Sequence, residues 1–343
     1  MPLNPPKCTP GDRVAVVSPS WGGPAHFPAV FDLGIERLRA LGLEPVELAH
    51  TRSAAATPQE RAADLMAAFG DPSVTAVLAS IGGDDQLKVL PHLDPEVLTA
   101  HPKPFFGYSD CTNLLLYLWN LGIRSFHGGS VMVQLGRGGR MHPVTEASLR
   151  AALFTAGEWQ LPKPSTFTDA DGNWEHFDPE QEPPSEPAPP WTWHGPSAAV
   201  TGPLWGGSLE IIDWNLRAGR WIQPNAAYSG SVLLLETSEE LPDALYVYRV
   251  LMAMGERGLL QQFAGVVVAR PKASFFLTPR SASERIAYRD AQREAIVRAL
   301  DEYAPGVPAV FGVDAGHTDP MVVLPLGGPV TLDPAADRIS VEY

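Results

Sequence analysis

Through the first part of the chain, short apolar runs alternate with longer segments whose apolar residues recur at helical spacing, the pattern of strands feeding helices. Arg13-Val14-Ala15-Val16-Val17-Ser18 reads as a first buried strand after a turn at Pro10-Gly11. Residues 27–41 place Phe31, Leu33, Ile35, Leu38 and Leu41 along a helix that stops at Gly42, a residue suited to the position after a helix. Residues 43–48 form a second strand. Thr57-Pro58-Gln59-Glu60 opens another helix with a cap, a proline at the first helical position and a carboxylate at the third. A third strand at residues 74–79 runs into Gly82-Gly83 and a short helix near residues 86–90. Pro104-Phe105-Phe106-Gly107 then feeds, through Tyr108-Ser109-Asp110-Cys111, a helix beginning at Thr112, and residues 123–127 add one more strand. This alternation predicts an α/β fold with an N-terminal doubly wound, mostly parallel sheet.

The pattern breaks after Trp159. Residues 162–196 are rich in Pro, Glu, Asp and Ser, yet Trp174, Phe177, Trp191 and Trp193 are set among them. Such a segment is either a disordered connector or an aromatic-bearing loop that closes over a ligand, and the indoles favour the loop. Strand and helix patterns resume near Thr201. Gly202 to Leu209 looks like a strand turning on Gly206-Gly207 into a helix, Ser231 to Glu236 is an apolar strand ending in a carboxylate, and residues 283–300 form a long amphipathic helix. The last stretch, from residue 322 on, predicts short antiparallel strands. The expected organisation is an N-terminal domain at 1–160, a connecting loop at 161–200, and a C-terminal α/β domain with its own sheet at 201–343.

Composition narrows the possibilities. The chain has 343 residues, 45% hydrophobic and 19% charged, ample for a sizeable core. Its 39 acidic residues outnumber 25 Lys and Arg, for a net charge of −14. That argues against a nucleic-acid or membrane-surface partner, either of which needs clustered cations. No apolar signal segment opens the chain, and no run is long enough to cross a bilayer. Cys8 and Cys111 are the only cysteines, so no disulfide framework exists and a cytoplasmic location is expected. Phosphate-loop, dinucleotide and zinc-ligand spacings are missing, which predicts an enzyme with no cofactor and no metal.

Three residues stand where strands end. Ser109 follows a strand and a glycine at the start of a helix, a turn resembling the nucleophile elbow of serine hydrolases without its second glycine. Alternatively, Ser109 or Asp110 is only a helix cap, or Cys111 is the nucleophile. Glu236 ends an apolar strand, where burial is costly unless something pairs with it; otherwise it is a surface residue. His317 lies in Gly316-His317-Thr318-Asp319-Pro320, where it could equally be a turn residue bonded to backbone. Together they fit an order known for serine triads, at the strand ends where α/β sheets gather their sites. His317 would take the Ser109 proton, Glu236 would orient the ring, and the amides of Gly83 and Asp110 would hold the oxyanion.

These motifs, with Gly11 to Ser20, Ser80-Ile81-Gly82-Gly83-Asp84-Asp85 and Gly202 to Leu209, resemble the LD-carboxypeptidase family of serine peptidases nearly end to end. The resemblance implies a Ser109–Glu236–His317 triad, two domains with the site between them, and a homodimer. Murein-recycling members carry an arginine before the Gly-Gly pair and a tyrosine after it. Ser80-Ile81 and Asp84-Asp85 depart from this and look more like the branch containing the microcin C self-immunity peptidase, which cleaves aminoacyl-nucleotide amides. Ser208 stands where many relatives have asparagine. The expected substrate is therefore an aminoacyl-nucleotide or a peptide, with a murein L,D-peptide as the competing choice. Trp174, Trp191, Trp193 and Trp205 are the candidate substrate contacts, because indoles stack on adenine or pack in clefts. The alternative of another class is a two-domain small-molecule-binding protein without catalysis.

Overall fold

Local chemistry starts the helices. In the computed structural model, which describes residues 3–343, Thr57 caps the helix Pro58–Gly70. Its hydroxyl accepts from the Glu60 N–H while the Glu60 carboxylate accepts from the Thr57 N–H, satisfying two otherwise orphaned donors. Ser281 and Glu284 do the same for Ala282–Tyr303. That helix buries Gln292, Ala295, Ile296, Ala299 and Leu300, a stripe at helical spacing.

The strands Glu44–Glu47, Arg13–Val17, Val74–Ala79, Phe105–Gly107 and Ser125–His127 lie side by side and parallel. In the second half, Val200–Ser208, Val232–Glu236, Gly265–Ala269 and Ala309–Val313 form another parallel run. The strand Leu324–Leu326 joins the two. It pairs antiparallel with Ser125–His127 and touches Val200–Ser208 where Leu204 meets Leu326, so the halves share one 14-stranded hydrogen-bonded sheet. Antiparallel strands Pro329–Asp333 and Arg338–Glu342 branch from it, and the second of these pairs with Glu158–Gln160 from the first half.

The Pro-rich segment is folded onto the C-terminal half. Thr166–Phe167 pairs with Glu186–Pro187, Thr168 bridges to Asp319, and Thr192–His194 forms the sheet edge beside Ala309–Val313. The Arg270 guanidinium covers the Phe167 ring at 4.6 Å, and buried Asp169 accepts from Arg285 and Arg289. The glycine-rich loop at 136–140 is tied down on both sides. Arg37 donates to the carbonyls of Leu135 and Arg137, and Arg137 pairs with both Asp319 and Glu182. Among the described residues, no helix is long and apolar enough to cross a membrane.

Candidate active site

The strand Phe105–Gly107 ends in a 3₁₀ turn, Ser109–Cys111, that runs straight into the helix Thr112–Asn120. Ser109 is held at φ 60°, a left-handed conformation costing a non-glycine residue about 1–3 kcal/mol and found where function holds it in place. Its neighbour is Gly82, where a Cβ would lie 2.9 Å from Ser109 Cβ and 3.4 Å from the Asp110 nitrogen. Only glycine permits this approach of the Gly82-Gly83 loop to the elbow. Among the described residues, the amides of Gly83 and Asp110 donate no hydrogen bond and Ser109 Oγ makes none. The Asp110 side chain points elsewhere, accepting from the Gln86 N–H at 2.9 Å and from Asn113 Nδ2 at 2.8 Å. Burial pushes its carboxyl up to about 6 despite those donors.

Glu236 is the last residue of Val232–Glu236 and is 2% exposed, so it is not a rim residue. Its partner is His317, whose Nδ1 lies 2.6 Å from Glu236 Oε2. Gly316 makes room for this pair, since a Cβ there would sit 3.3 Å from both Glu236 Cβ and Oε2. The other ring nitrogen, Nε2, is 3.1 Å from Glu239 Oε2, and the Tyr108 ring stands 4.9 Å from the imidazole. Burial alone would push the imidazole down, but the charges of Glu236 and then Glu239 override it and raise it to about 9. Structure thus brings Glu236 and His317 together beside Tyr108, the residue preceding Ser109.

Cys111 is fully buried, and burial pushes its thiol well above the ordinary range, so it is unsuited to attack. The four tryptophans part company. Trp205 is 0% exposed, packed against Phe263 at 5.7 Å and Tyr228 at 4.8 Å. Expecting it to touch a ligand was mistaken, because the inward register of its strand makes it core. Trp191 is buried beneath Lys163, and Trp193 donates from Nε1 to Asp337 at 2.8 Å at the sheet edge. Trp174 alone is linked to the elbow. Its ring meets Phe27 at 5.4 Å, Phe27 meets Trp21 at 6.2 Å, and Trp21 lies against Gly83.

Sequence reasoning missed several neighbours. Trp21 follows the first strand, and its place beside Gly83 is signalled only by that strand being next to Val74–Ala79. Glu239 and Glu210 carried no motif. Glu210 is buried, accepts from the Ser238 N–H and hydroxyl, and has its carboxyl raised by burial and by Glu236. Ser208 bridges the halves: its N–H donates to Thr112 Oγ1 and its hydroxyl to Glu210. Asn215 donates to Asn113 Oδ1 at 2.8 Å, a second tie across the same junction.

Comparison with known proteins agrees with this architecture. A model of the LD-carboxypeptidase N-terminal domain matches residues 14–128, and one of the C-terminal domain matches residues 201–332. A Bacillus subtilis protein named "Probable murein peptide carboxypeptidase" is 27% identical over 340 residues, 97% of this chain and 92% of the relative. The microcin C7 self-immunity protein MccF of Escherichia coli is 24% identical over 341 residues, 96% of this chain and 93% of its own length. A solved structure of microcin C7 self-immunity protein MccF in complex with aspartyl sulfamoyl adenosine superposes with a TM-score of 0.86 at 23% identity, covering 100% of this chain and 99% of that one. An MccF-like protein from Streptococcus pneumoniae in complex with AMP gives 0.84 at 26% identity, covering 97% and 99%. With both domain models matched in order across most of its length, the chain belongs to the LD-carboxypeptidase family and is a serine-type carboxypeptidase or related hydrolase.

Proposed function

We propose that Ser109, His317 and Glu236 act as a catalytic triad that cleaves an amide bond, with the aminoacyl group of an aminoacyl-nucleotide as the leading substrate. The observation that carries this reading is the buried Glu236–His317 pair at 2.6 Å beside an elbow that holds Ser109 at φ 60°. With His317 Nε2 turned to Ser109, the imidazole takes the Oγ proton as Oγ attacks the carbonyl carbon. The C–N bond then breaks, His317 returns the proton to the leaving amine, and water releases the acyl group from Ser109 by the same route. Glu236 holds Nδ1–H and offsets the charge on the ring. The unengaged amides of Gly83 and Asp110 serve the developing oxyanion, a role that needs donors already in place.

The nucleotide reading is favoured by the MccF-like structure with AMP and by Trp174, which adjoins the elbow through Phe27 and Trp21. A murein L,D-peptide is the second reading, supported by the name of the Bacillus subtilis relative. Incubation with aspartyl sulfamoyl adenosine and with a murein tetrapeptide, followed by mass spectrometry, separates the two. Ser109→Ala should fold normally and lose on the order of 10⁴-fold or more in kcat, whereas Cys111→Ser should keep substantial activity. Wild-type turnover by Ser109→Ala would sink the triad.

A further inference from the structure

His317 has a carboxylate at each of its ring nitrogens. Its Nδ1 holds Glu236, its Nε2 faces Glu239 at 3.1 Å, and Ser109 Oγ makes no hydrogen bond among the described residues. We propose that Glu239 is a positioning residue that parks His317 in this resting orientation, occupying the one nitrogen that could deprotonate Ser109, and that substrate must displace the Glu239 carboxylate before Nε2 turns to Ser109. This rests on the triad reading above.

The two carboxylates on the ring differ in how firmly they are held. Glu236 is locked at the end of a strand with a fully buried side chain, while Glu239 lies in the loop beyond it with its side chain 44% exposed. Glu239 Oε2 is itself buried against Nε2 yet has no well-aligned hydrogen bond to any described residue. The contact is therefore mainly Coulombic and free of the directional bonds that would fix a side chain. One arm of the clamp is built to stay and the other to move.

The charges around the ring explain what the clamp does. Glu236 and Glu239 face it from the strand end and its loop, Glu210 from the helix Leu209–Ala218, and Glu240 from farther along the same loop. From the first half, Tyr108 stays a neutral phenol because burial raises it, and His127 stays neutral because burial pushes it down to about 3. Carboxylates thus outnumber cations, and the imidazolium is the favoured resting form. An imidazolium has no lone pair to accept the Ser109 proton. When Glu239 withdraws, the Nε2 proton passes to solvent and the freed lone pair becomes available to Oγ.

Glu239→Gln keeps the size of the side chain and removes its charge. The His317 titration would be followed by NMR of the ring nitrogens, assigned with His317→Gln, alongside the pH profile of kcat/KM on aspartyl sulfamoyl adenosine. The midpoint should fall by about one pH unit or more. The acid limb of kcat/KM should move down with it, raising activity several-fold below the original midpoint, and Glu239→Asp should stay near wild type. An unchanged midpoint, or a uniform loss of activity with no movement of the limb, overturns the proposal. Because the NMR titration needs no turnover, it reads Glu239 even if an active Ser109→Ala shows the triad itself to be wrong.

Discussion

Surroundings set the chemistry of single side chains here, and two buried histidines end in opposite states. His317 is raised by carboxylates, whereas His127, 0% exposed with Nε2 3.0 Å from the Ala315 carbonyl, is pushed down to about 3. A histidine depressed by folding binds fewer protons in the native state than in the unfolded one. Its contribution to stability is complete above its ordinary value of 6.5 and is lost as pH falls below that toward 3. Each unit in that window weakens folding by about 1.4 kcal/mol. Urea unfolding of wild type and His127→Gln at pH 7 and pH 4.5 should therefore show the smaller acid loss in the variant. Equal losses would mean His127 is not held neutral by the fold.

At the scale of elements, the site depends on loops that come within contact distance after their strands end. The Gly82-Gly83 loop leaves Val74–Ala79 and the elbow leaves its neighbour Phe105–Gly107, so strand adjacency alone brings them together. Gly82→Ala would place a methyl 2.9 Å from Ser109 Cβ, and neither side has a flexible tip that could yield. A displacement of about 1 Å at a reacting atom costs on the order of 10²-fold in rate. The variant should keep its circular dichroism spectrum and lose about that much kcat; unaltered kcat would show that the loop does not constrain Ser109.

Across the whole molecule, the two halves are joined by the strand Leu324–Leu326 and by polar ties at Ser208–Thr112 and Asn215–Asn113. The Pro-rich segment adds a third connection, because Arg137 holds both Glu182 of that segment and Asp319 next to the His317 turn. This arrangement separates the roles of the indoles. Trp205→Ala should cost about 3–5 kcal/mol of stability and lower activity on every substrate through unfolding. Trp174→Ala should leave the melting temperature nearly unchanged and raise KM by about one to two decades for the nucleotide-bearing substrate only. Melting curves and kcat/KM on both substrates check the pair, and a uniform effect of Trp174→Ala would remove it from ligand binding.

Local pattern was enough for most of the elements, since capping at Thr57-Pro58-Gln59-Glu60 and apolar runs such as Val232–Glu236 act over a few residues. The same pattern placed Ser109, Glu236 and His317 at strand ends, because reactive side chains beside apolar runs are conspicuous in a sequence. Packing decided the rest. Trp205 and Trp174 look alike as letters, and only strand register makes one core and the other a neighbour of Phe27. Arg137 stands in a glycine-rich stretch with no carboxylate partner nearby in sequence, and its partner Asp319 is supplied only by the fold. Glu239 carried no motif, since its meaning depends on a ring nitrogen brought to 3.1 Å by the turn at Gly316. Interactions that act within a few residues can be read along the chain; those that depend on which strands become neighbours exist only once the sheet has formed.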